Sequence, residues 1–399
     1  MSLRVRRPGR LVAISLSAGL VAGAFLAAPG GAVAAGPCTM KVTTTRTSSQ
    51  SYSSGVQFAT YNVKVVYGSH TQSATVQKMV MPRHATPKLV HRRLGWTATL
   101  RDQIGEQAPH GIAAINGDFF YEYSTGQGRV ILPRSASVGA GAIVRADDED
   151  MRVVGLDTHG QPFTGMMRVA GTVTRGSDSF VVSGLNWHWL GPKGVVVYTS
   201  DWADGSAARR PLPAVEWVVA DGRIKEVRTG STRGKDVASG TRVVAFGSDY
   251  ATAAKRARTG DSVSVSAKQV TSTGVKLQEG VGRGAALVRD GGIAFTCSEL
   301  TNEERPRTTI GWTAKGRWAT LIVPGTGYDS SGYRIGGLGL PQEANVARAL
   351  GFDSADEVDG GGSVTSYVRK GDKTWDRVDD ADSRWARPIP NGLAFVVRR

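Results

Sequence analysis

The chain has 399 residues, of which 40% are hydrophobic and 51 are glycine. Its 49 Lys and Arg against 34 Asp and Glu give a formal net charge of +15, which favours anionic partners such as phosphate-bearing wall polymers or acidic polysaccharides. The basic residues are scattered, and no basic run interleaves with aromatic side chains, so a nucleic-acid-binding groove is not expected.

The first 35 residues have the pattern of a Sec-type secretory signal peptide. A basic stretch at residues 4–10 precedes an uncharged apolar run at 11–28, and Ala32-Val33-Ala34 offers the small-x-small pattern that signal peptidase cuts after. The apolar run is also long enough to span a bilayer, so an uncleaved anchor is the alternative. The break at Pro29-Gly30-Gly31 favours cleavage, which predicts secretion without a stable membrane anchor.

The two cysteines, Cys38 and Cys297, both follow this segment. In an oxidising compartment they could form one disulfide, and the alternative is two unrelated thiols. The sequence does not choose between them.

The N-terminal part of the remaining chain contains three different patterns. Residues 36–55 are rich in Ser and Thr, which predicts a flexible lead-in. Alternation of polar and apolar residues over 56–78 predicts strands. Apolar residues at helical spacing over 87–107 predict an amphipathic helix.

Short apolar runs bounded by glycine then recur along the chain. They predict strands at residues 111–115, 195–199, 215–220, 242–246, 262–266, 308–313 and 320–323. Short helices are predicted at 250–258 and at 341–350, where the second begins with a proline suited to a first helical turn. We therefore predict an α+β fold with strand-rich mixed sheets and a few short helices.

The distribution of histidine limits the chemistry of the C-terminal half. All six histidines lie at or before His188, so that half alone cannot build a Ser–His–Asp triad or a His-rich metal site. No nucleophile elbow, nucleotide-binding P-loop or zinc-spaced cysteine pair is present. Chemistry there must come from carboxylates, arginines, amides and backbone donors.

The first segment that carries such groups is residues 114–120. An apolar strand runs directly into Asn116-Gly117-Asp118 and two phenylalanines, so polar groups emerge where a strand ends. The alternative is a strand followed by an Asn-Gly turn, with the phenylalanines in the core.

The second segment is residues 305–312, where Arg307 stands at the entrance of a predicted hairpin. The planar guanidinium of arginine matches a phosphate bidentately and stays charged at every relevant pH. The alternative is a solvated arginine beside a strand.

The third segment is residues 357–363, in which Asp359 is followed by three glycines and Ser363. Successive glycines let the backbone approach a ligand closely and point N–H groups at an anion. The alternative is a flexible glycine-rich loop.

The order of these segments along the chain resembles the order of motifs in the phosphodiester glycosidase family. That family has an apolar strand into Asn-Gly-x-Phe-Phe, a Gly-rich turn before an apolar strand, an Arg-Thr-x-x-Gly strand, a helix before Asp-Gly-Gly-Gly-Ser and a closing Arg-Pro-x-x-Asn. The matching segments lie at residues 114–120, 282–291, 307–311, 343–363 and 387–397. Asp118 departs from the pattern, because a small residue is expected at its position.

The signal-peptide pattern and the resemblance together predict a domain organisation. Residues 1–35 would be the signal peptide, 36–110 an N-terminal region packed on the catalytic domain, and 111–399 that domain. Residues 145–235 align poorly and are expected to be an insertion or subdomain. This stretch contains Asn186-Trp187-His188-Trp189, whose aromatic rings would either stack on sugars or belong to the core.

The resemblance also implies a function and a set of site residues. The expected activity is hydrolysis of the glycosidic bond of a sugar 1-phosphodiester, with an N-acetylglucosamine-like sugar, in a glycan or wall polymer. Asp359 is expected to be the nucleophile or the base for water, while Asp118 and Glu343 are candidates for a second carboxylate. Phosphate contacts are expected from Arg307 and sugar contacts from Asn116. Further substrate contacts are expected from Thr308, Gly360, Gly361, Gly362, Ser363, Arg387 and Asn391.

Two other classes of function remain open from the sequence. One is a binder of anionic wall polymer that uses the same residues without turnover. The other is a metal-dependent phosphodiesterase, whose only candidate carboxylate runs are residues 147–150 and Asp379, Asp380 and Asp382. Neither run has the spacing of a calcium loop, so no cofactor is required by the sequence, although a divalent cation such as calcium is not excluded.

Overall fold

The computed structural model describes residues 39–124, 129–202, 210–230, 237–296, 303–328, 330, 334–371, 374–379 and 386–397. The predicted signal peptide and both cysteines lie outside the described residues. Strands make up 55% of the structure and helices 9%. The expected strand-rich sheets with few helices are therefore confirmed, but the fold is mostly β and not a balanced α+β fold. None of the described helices is long and apolar enough to cross a membrane.

Strands are numbered here in chain order. Those of the first half are β1 (Lys41–Ser51), β2 (Gln57–Tyr67), β3 (His70–Val80), β4 (Ala85–His91), β5 (Gly111–Asn116), β6 (Phe120–Ser124), β7 (Arg129–Pro133), β8 (Ser137–Gly139), β9 (Ala142–Asp147), β10 (Met151–Asp157), β11 (Pro162–Ala170), β12 (Thr172–Arg175), β13 (Asp178–Val181), β14 (Gly184–Leu185) and β15 (Val195–Tyr198). Those of the second half are β16 (Val215–Ala220), β17 (Arg223–Arg228), β18 (Arg242–Phe246), β19 (Ser264–Val265), β20 (Lys268–Thr271), β21 (Leu277–Gly282), β22 (Ala286–Arg289), β23 (Gly292–Ile293), β24 (Arg307–Thr313), β25 (Trp318–Val323), β26 (Gly327–Tyr328), β27 (Arg334–Ile335), β28 (Phe352–Val358), β29 (Ser366–Lys370), β30 (Thr374–Arg377) and β31 (Asn391–Val397).

The α-helices of the described ranges are short. They are α1 (Leu100–Gln107), α2 (Ala251–Lys255) and α3 (Leu340–Ala349). Single 3₁₀ turns occur at Ser248–Tyr250 and Gly361–Ser363. As expected, α3 begins with a proline in its first turn, where the missing N–H group costs no hydrogen bond.

Two sheets position the polar segments identified in the sequence. The first has eight strands in the order β1-β2-β3-β25-β24-β28-β22-β23, and the second has five in the order β30-β29-β5-β31-β4. Their apolar faces share one core, in which Ile115 and Leu393 of the second sheet lie with Ile310 and Val358 of the first. The ends of β5, β24, β28 and β31 are therefore brought to one place.

A third sheet has eleven strands in the order β17-β16-β18-β15-β14-β9-β8-β21-β10-β11-β20. All of its strands lie within residues 137–282, and several of them belong to the stretch expected to be an insertion. Its strands β8 and β21 contact β4 of the five-stranded sheet, so interior strands of the third sheet lie next to the site described below.

Two predictions for the N-terminal part are wrong. Residues 41–51 of the expected flexible lead-in form strand β1, which is almost entirely exposed and is held by its antiparallel pairing with β2. In the expected helix at 87–107, β4 occupies the first part and only Leu100–Gln107 is helical. The five residues of β4 from Pro87 to His91 pair with β31, and this tertiary pairing overrides the helical spacing.

The other predicted elements are found, with shifted boundaries. The strands expected within 56–78 are β2 and β3, and those expected at 111–115, 215–220 and 242–246 are β5, β16 and β18. The strand expected at 262–266 shrinks to Ser264–Val265, and the helix expected at 250–258 to Ala251–Lys255.

Candidate active site

Asn116, the last residue of β5, ties the two sheets together. Its buried side-chain oxygen accepts a hydrogen bond from the Thr308 hydroxyl at 2.8 Å and from the Thr365 backbone N–H at 3.2 Å. Its side-chain nitrogen donates to the backbone carbonyl of Asp359 at 2.6 Å. Asn116 therefore fixes the strand end that carries Asp359, and every polar atom of its amide has a protein partner.

Asn391, the first residue of β31, holds the next part of the Asn-Gly-Asp segment. Its side-chain oxygen accepts the backbone N–H of Asp118 at 2.9 Å. A Cβ atom on Gly117 would lie 2.4 Å from this oxygen, so only glycine fits where the two segments cross. Asn391 is buried, and its hydrogen bond to the backbone N–H of Asp118 holds that residue in position.

Asp118 is a carboxylate in a largely closed environment. It is 2% exposed, and the backbone N–H of Ser135 donates to its Oδ2 at 2.6 Å, while its Oδ1 has no hydrogen-bond partner in the structure. Burial raises its pKa to about 7, against the opposing effects of the Ser135 N–H and of Arg145. The negative charge of Asp359 adds to the rise. Asp118 is thus poised to hold or release a proton near neutral pH.

Asp359 follows β28 and lies beside Asp118, because its backbone N–H donates to the Gly117 carbonyl at 2.9 Å. Burial raises its pKa to about 6, although the Ser363 hydroxyl, the Gly360 N–H and Arg387 all favour its ionised form. The Gly360 N–H bond to its Oδ1 is 2.9 Å long. At neutral pH Asp359 is therefore the more ionised carboxylate of the pair.

Arg387 and Ser363 complete this cluster. The Arg387 guanidinium donates to the Ser363 hydroxyl at 3.3 Å and lies 4.7 Å from the centre of the Phe120 ring. Arg387 is half-buried, so its charge is held near Asp359 but is still open to solvent. Such a placement suits contact with an anionic group.

The glycine turn after Asp359 is more self-contained than the sequence suggested. The Gly360 N–H is bonded to Asp359, that of Gly361 to the Pro306 carbonyl at 2.8 Å, and that of Ser363 to the Gly360 carbonyl at 3.2 Å. These three donors hold the turn against β24 and orient Asp359. They do not form an open nest of N–H groups for an anion.

Arg307 and Glu343 lie apart from this cluster, in a fully buried network. The Arg307 guanidinium is 0% exposed and donates to the Glu357 carboxylate and to the carbonyl oxygens of Leu338 and Glu303. Glu343 accepts the Thr309 hydroxyl at 2.6 Å and faces Arg307 at 3.8 Å. Burial raises the pKa of Glu343 to about 7, with Arg307 opposing. This arrangement leaves Arg307 no exposed donor for a phosphate.

Several residues near the carboxylate pair were not identified in the sequence. Arg145 in β9 is buried, donates to the Ser135 carbonyl at 2.9 Å and lies 4.1 Å from the Trp187 ring centre. Arg134 is exposed, and its positive charge lowers the pKa of Asp118. Arg305 is partly exposed, and its charge acts on Asp359 in the same direction.

Glu357, the buried partner of Arg307, was also not identified in the sequence, although its position gave a signal. Glu357 precedes Asp359 by two residues, and residues at i and i+2 of a strand share a face. This spacing could have singled out Glu357 as the partner of a buried arginine on the neighbouring strand. Arg145 had no comparable signal, because no motif connects it with Asp118.

The acidic runs considered for a metal do not converge. Within the described ranges, no group of three or more His, Cys, Asp or Glu side chains is arranged to hold a metal ion. Asp379 is bound by the backbone N–H of Ser366 and by Arg334 and Arg377, while Asp380 and Asp382 lie outside the described residues.

Comparison with known proteins bears on this region of the chain. Residues 214–396 match the family model of the phosphodiester glycosidases. The resemblance seen in the sequence is confirmed. The matched region contains Asp359, Arg387 and Asn391, whereas Asn116 and Asp118 precede it. The match of this region to the family model indicates a glycosidase-type function.

Two solved structures share the fold at low sequence identity, and a third is less similar. A Synechocystis protein is 17% identical with a TM-score of 0.64, and the match covers 90% of this chain and 68% of that one. A Burkholderia pseudomallei protein for which export is proposed is 15% identical with a TM-score of 0.66, covering 93% and 99%. The catalytic domain of zebrafish N-acetylglucosamine-1-phosphodiester alpha-N-acetylglucosaminidase is 12% identical with a TM-score of 0.44, covering 90% and 88%. No curated protein sequence matches the chain.

Proposed function

We propose that this protein is a secreted hydrolase that cleaves the glycosidic bond of a sugar 1-phosphodiester, with Asp359 and Asp118 as its two carboxylates. The observation that carries the proposal is the pairing of these groups at neighbouring strand ends, with pKa values raised to about 6 and about 7. Two carboxylates with different protonation are what glycoside hydrolysis requires. The match of residues 214–396 to the family supports this reaction class.

In the proposed reaction, Asp359 supplies the negative charge at the anomeric carbon, as nucleophile or as base for water. The bond from the anomeric carbon to the phosphate oxygen breaks, and its electron pair leaves with the phosphate. Asp118 starts protonated and gives its proton to the departing phosphate oxygen, which its pKa near 7 allows. Where Asp359 is the nucleophile, the ionised Asp118 then takes up the proton of the water that releases the sugar from Asp359. A phosphate is a good leaving group, so neutralising its charge matters more than protonating it.

The phosphate contacts are assigned to the cations that border the carboxylates and remain open. Arg387 is half-buried beside Ser363, Arg305 is partly exposed, and Arg134 is exposed. Arg307 is assigned a supporting role, because its guanidinium is fully used by protein groups. Its contact with Glu357 joins β24 to β28, the strand that Asp359 follows.

The sugar is proposed to be N-acetylglucosamine-like and the natural substrate a phosphate-bearing glycan or wall polymer, as the family resemblance implies. The net charge of +15 supports an anionic polymer. Secretion is supported by the signal-peptide pattern of residues 1–35 and by the proposed export of the Burkholderia protein that shares the fold.

The test is to incubate the mature protein with the methyl phosphodiester of N-acetylglucosamine 1-phosphate and to identify the products by mass spectrometry. The proposal predicts free N-acetylglucosamine and methyl phosphate, formed at the same rate after treatment with a chelator. Loss of activity in chelator would instead support a metal-dependent phosphodiesterase. Binding without any product, unchanged in an Asp359→Asn variant, would support a polymer-binding protein.

A further inference from the structure

Trp189 is an exposed aromatic residue that the proposed reaction does not use. Its neighbour Trp187 is buried against Arg145, whereas Trp189 is 55% exposed. Trp189 lines a cavity of about 530 Å³ beside the ends of β9, β14 and β15 in the eleven-stranded sheet. An exposed indole in a concave setting offers a flat apolar face to a ligand.

The indole is held in place by the turn that follows it. A Cβ atom on Gly191 would lie 2.5 Å from the Trp189 ring, so the ring rests directly on the backbone of that glycine. The turn is closed by the Gly194 N–H to the Gly191 carbonyl at 2.9 Å and is anchored by the Asp249 N–H to the Pro192 carbonyl at 3.0 Å. The ring is thus seated before any ligand arrives, which lowers the entropic cost of stacking.

The polar part of the cavity decides which ligands it accepts. Four carboxylates and one ammonium group lie in its wall: Asp147, Asp148, Glu149, Asp249 and Lys193. Carboxylates accept hydrogen bonds from hydroxyl and amine groups and repel anions. A ligand of this cavity is therefore rich in hydroxyl groups and is uncharged or carries an amine.

The cavity adjoins the candidate active site. Asp147 and Glu149 also line a second cleft of about 470 Å³, whose wall includes Arg134 and Ser135. The Ser135 N–H is the group that holds the Asp118 carboxylate. Ser135, Asp147 and Glu149 therefore connect the surroundings of Asp118 with the cavity that Trp189 lines.

We propose that Trp189 and the cavity around it form a carbohydrate subsite that stacks an uncharged or amine-bearing sugar ring, at a distance from the scissile phosphodiester. The subsite would bind a further part of the substrate of the proposed function, on which this inference rests. The charges of the two regions predict the orientation of the bound glycan. The phosphate lies with Arg387 and Arg305, and the non-anionic sugars lie toward Trp189.

The test is calorimetric titration of the mature protein with three trisaccharides that carry no phosphodiester: one of N-acetylglucosamine, one of glucosamine and one of galacturonic acid. We expect the neutral and the amine-bearing trisaccharides to bind and the acidic one to bind at least tenfold more weakly. Trp189→Ala is expected to weaken binding of the neutral trisaccharide about tenfold, and Trp189→Tyr to restore most of it. Trp96→Ala is the matched control, because Trp96 is 50% exposed and lines neither cavity.

Unchanged affinity in Trp189→Ala, or equal affinity for the acidic trisaccharide, would overturn the subsite. So would the absence of any trisaccharide binding to the wild-type protein. These readouts involve no turnover, so they fail independently of the proposed reaction. Hydrolysis of the methyl phosphodiester with unchanged binding in Trp189→Ala would remove the subsite and leave the proposed function standing.

Discussion

Two carboxylate–arginine clusters lie near the ends of β24 and β28, and they differ in the solvent exposure of their arginines. In the first, Asp118 and Asp359 are paired with each other, one oxygen of Asp118 has no hydrogen-bond partner, and Arg387 is open to solvent. In the second, Arg307 is saturated by Glu357 and backbone carbonyls and is 0% exposed. Glu343 of the second cluster also has an oxygen without a hydrogen-bond partner, so unsatisfied polar atoms do not separate the two clusters. They differ in the exposure of the arginine, because Arg387 can reach a bound anion whereas Arg307 cannot.

The largest expected effect is that of Asp359→Asn on turnover. The substitution keeps the shape and the Gly360 N–H bond but removes the charge that the reaction requires, so kcat is expected to fall at least about 10³-fold. The measurement is initial rate on the methyl phosphodiester, with the melting temperature as a check on folding. Turnover within a few-fold of wild type would remove Asp359 from the mechanism.

Removal of Arg307 tests the supporting cluster. Arg307→Met removes the fully buried cation that contacts Glu357 and faces Glu343, and leaves Glu357 only the longer contact to Arg305 at 3.6 Å. The free energy of unfolding is therefore expected to drop by about 3–5 kcal/mol. Arg387→Met, at a half-buried site, serves as the control and is expected to cost less than about 1 kcal/mol. The measurement is denaturant unfolding of both variants. Equal stability of the two, with activity lost in Arg307→Met, would place Arg307 in the reactive cluster.

The pH dependence of kcat/KM distinguishes the role of Asp118 from that of Asp359. With pKa values of about 6 for Asp359 and about 7 for Asp118, kcat/KM is expected to rise as Asp359 ionises and to fall as Asp118 loses its proton. Asp118→Asn is expected to lower kcat about 10²-fold and to abolish the fall above pH 7. The measurement is a pH profile of both proteins. An alkaline limb that persists in Asp118→Asn would assign that limb to another group.

The same carboxylate is expected to limit stability. Its folded pKa of about 7 lies above the ordinary value of 3.8, so folding favours the protonated form and stability is lost as the pH rises through that interval. Asp118→Asn should therefore stabilise the protein at pH 8 by roughly 1–4 kcal/mol and have little effect at pH 4. Denaturant unfolding at the two pH values checks this. A destabilised variant at pH 8 would mean that the carboxylate is well solvated.

The smallest expected effect is on substrate affinity at the open cation. Arg387→Gln removes one charged contact to the phosphate, both in the bound substrate and as the phosphate leaves, so KM is expected to rise and kcat to fall, with kcat/KM lowered about tenfold. Steady-state kinetics on the methyl phosphodiester measures both. A drop in kcat alone would mean that Arg387 acts on Asp359 and not on the ground-state phosphate.

The contrast between the clusters also explains what the sequence could predict. The sequence shows polar residues beside glycines at the ends of apolar strands, and this pattern identified Asn116, Asp359 and Asn391. The role of Arg307 was not predictable, because an arginine at the start of a strand has the same local sequence whether it faces solvent or a buried glutamate. Arg145 approaches Asp118 only through the packing of the eleven-stranded sheet on its neighbour, which no local pattern encodes.

The two wrong secondary-structure predictions have related causes. Strand β1 shows no apolar alternation because it is exposed along almost its whole length, and its conformation is set by pairing with β2. Strand β4 has apolar residues compatible with a helix, but its edge completes the five-stranded sheet beside β31. In both cases a long-range pairing outweighed the local pattern.

The central claim, that the carboxylate pair directs attack to the sugar carbon, is tested most directly by hydrolysis in water enriched in heavy oxygen. Mass spectrometry of the products from the methyl phosphodiester of N-acetylglucosamine 1-phosphate locates the label. The account predicts labelled oxygen at the anomeric position of free N-acetylglucosamine and unlabelled methyl phosphate. Label in the phosphate product would show attack at phosphorus and contradict the account.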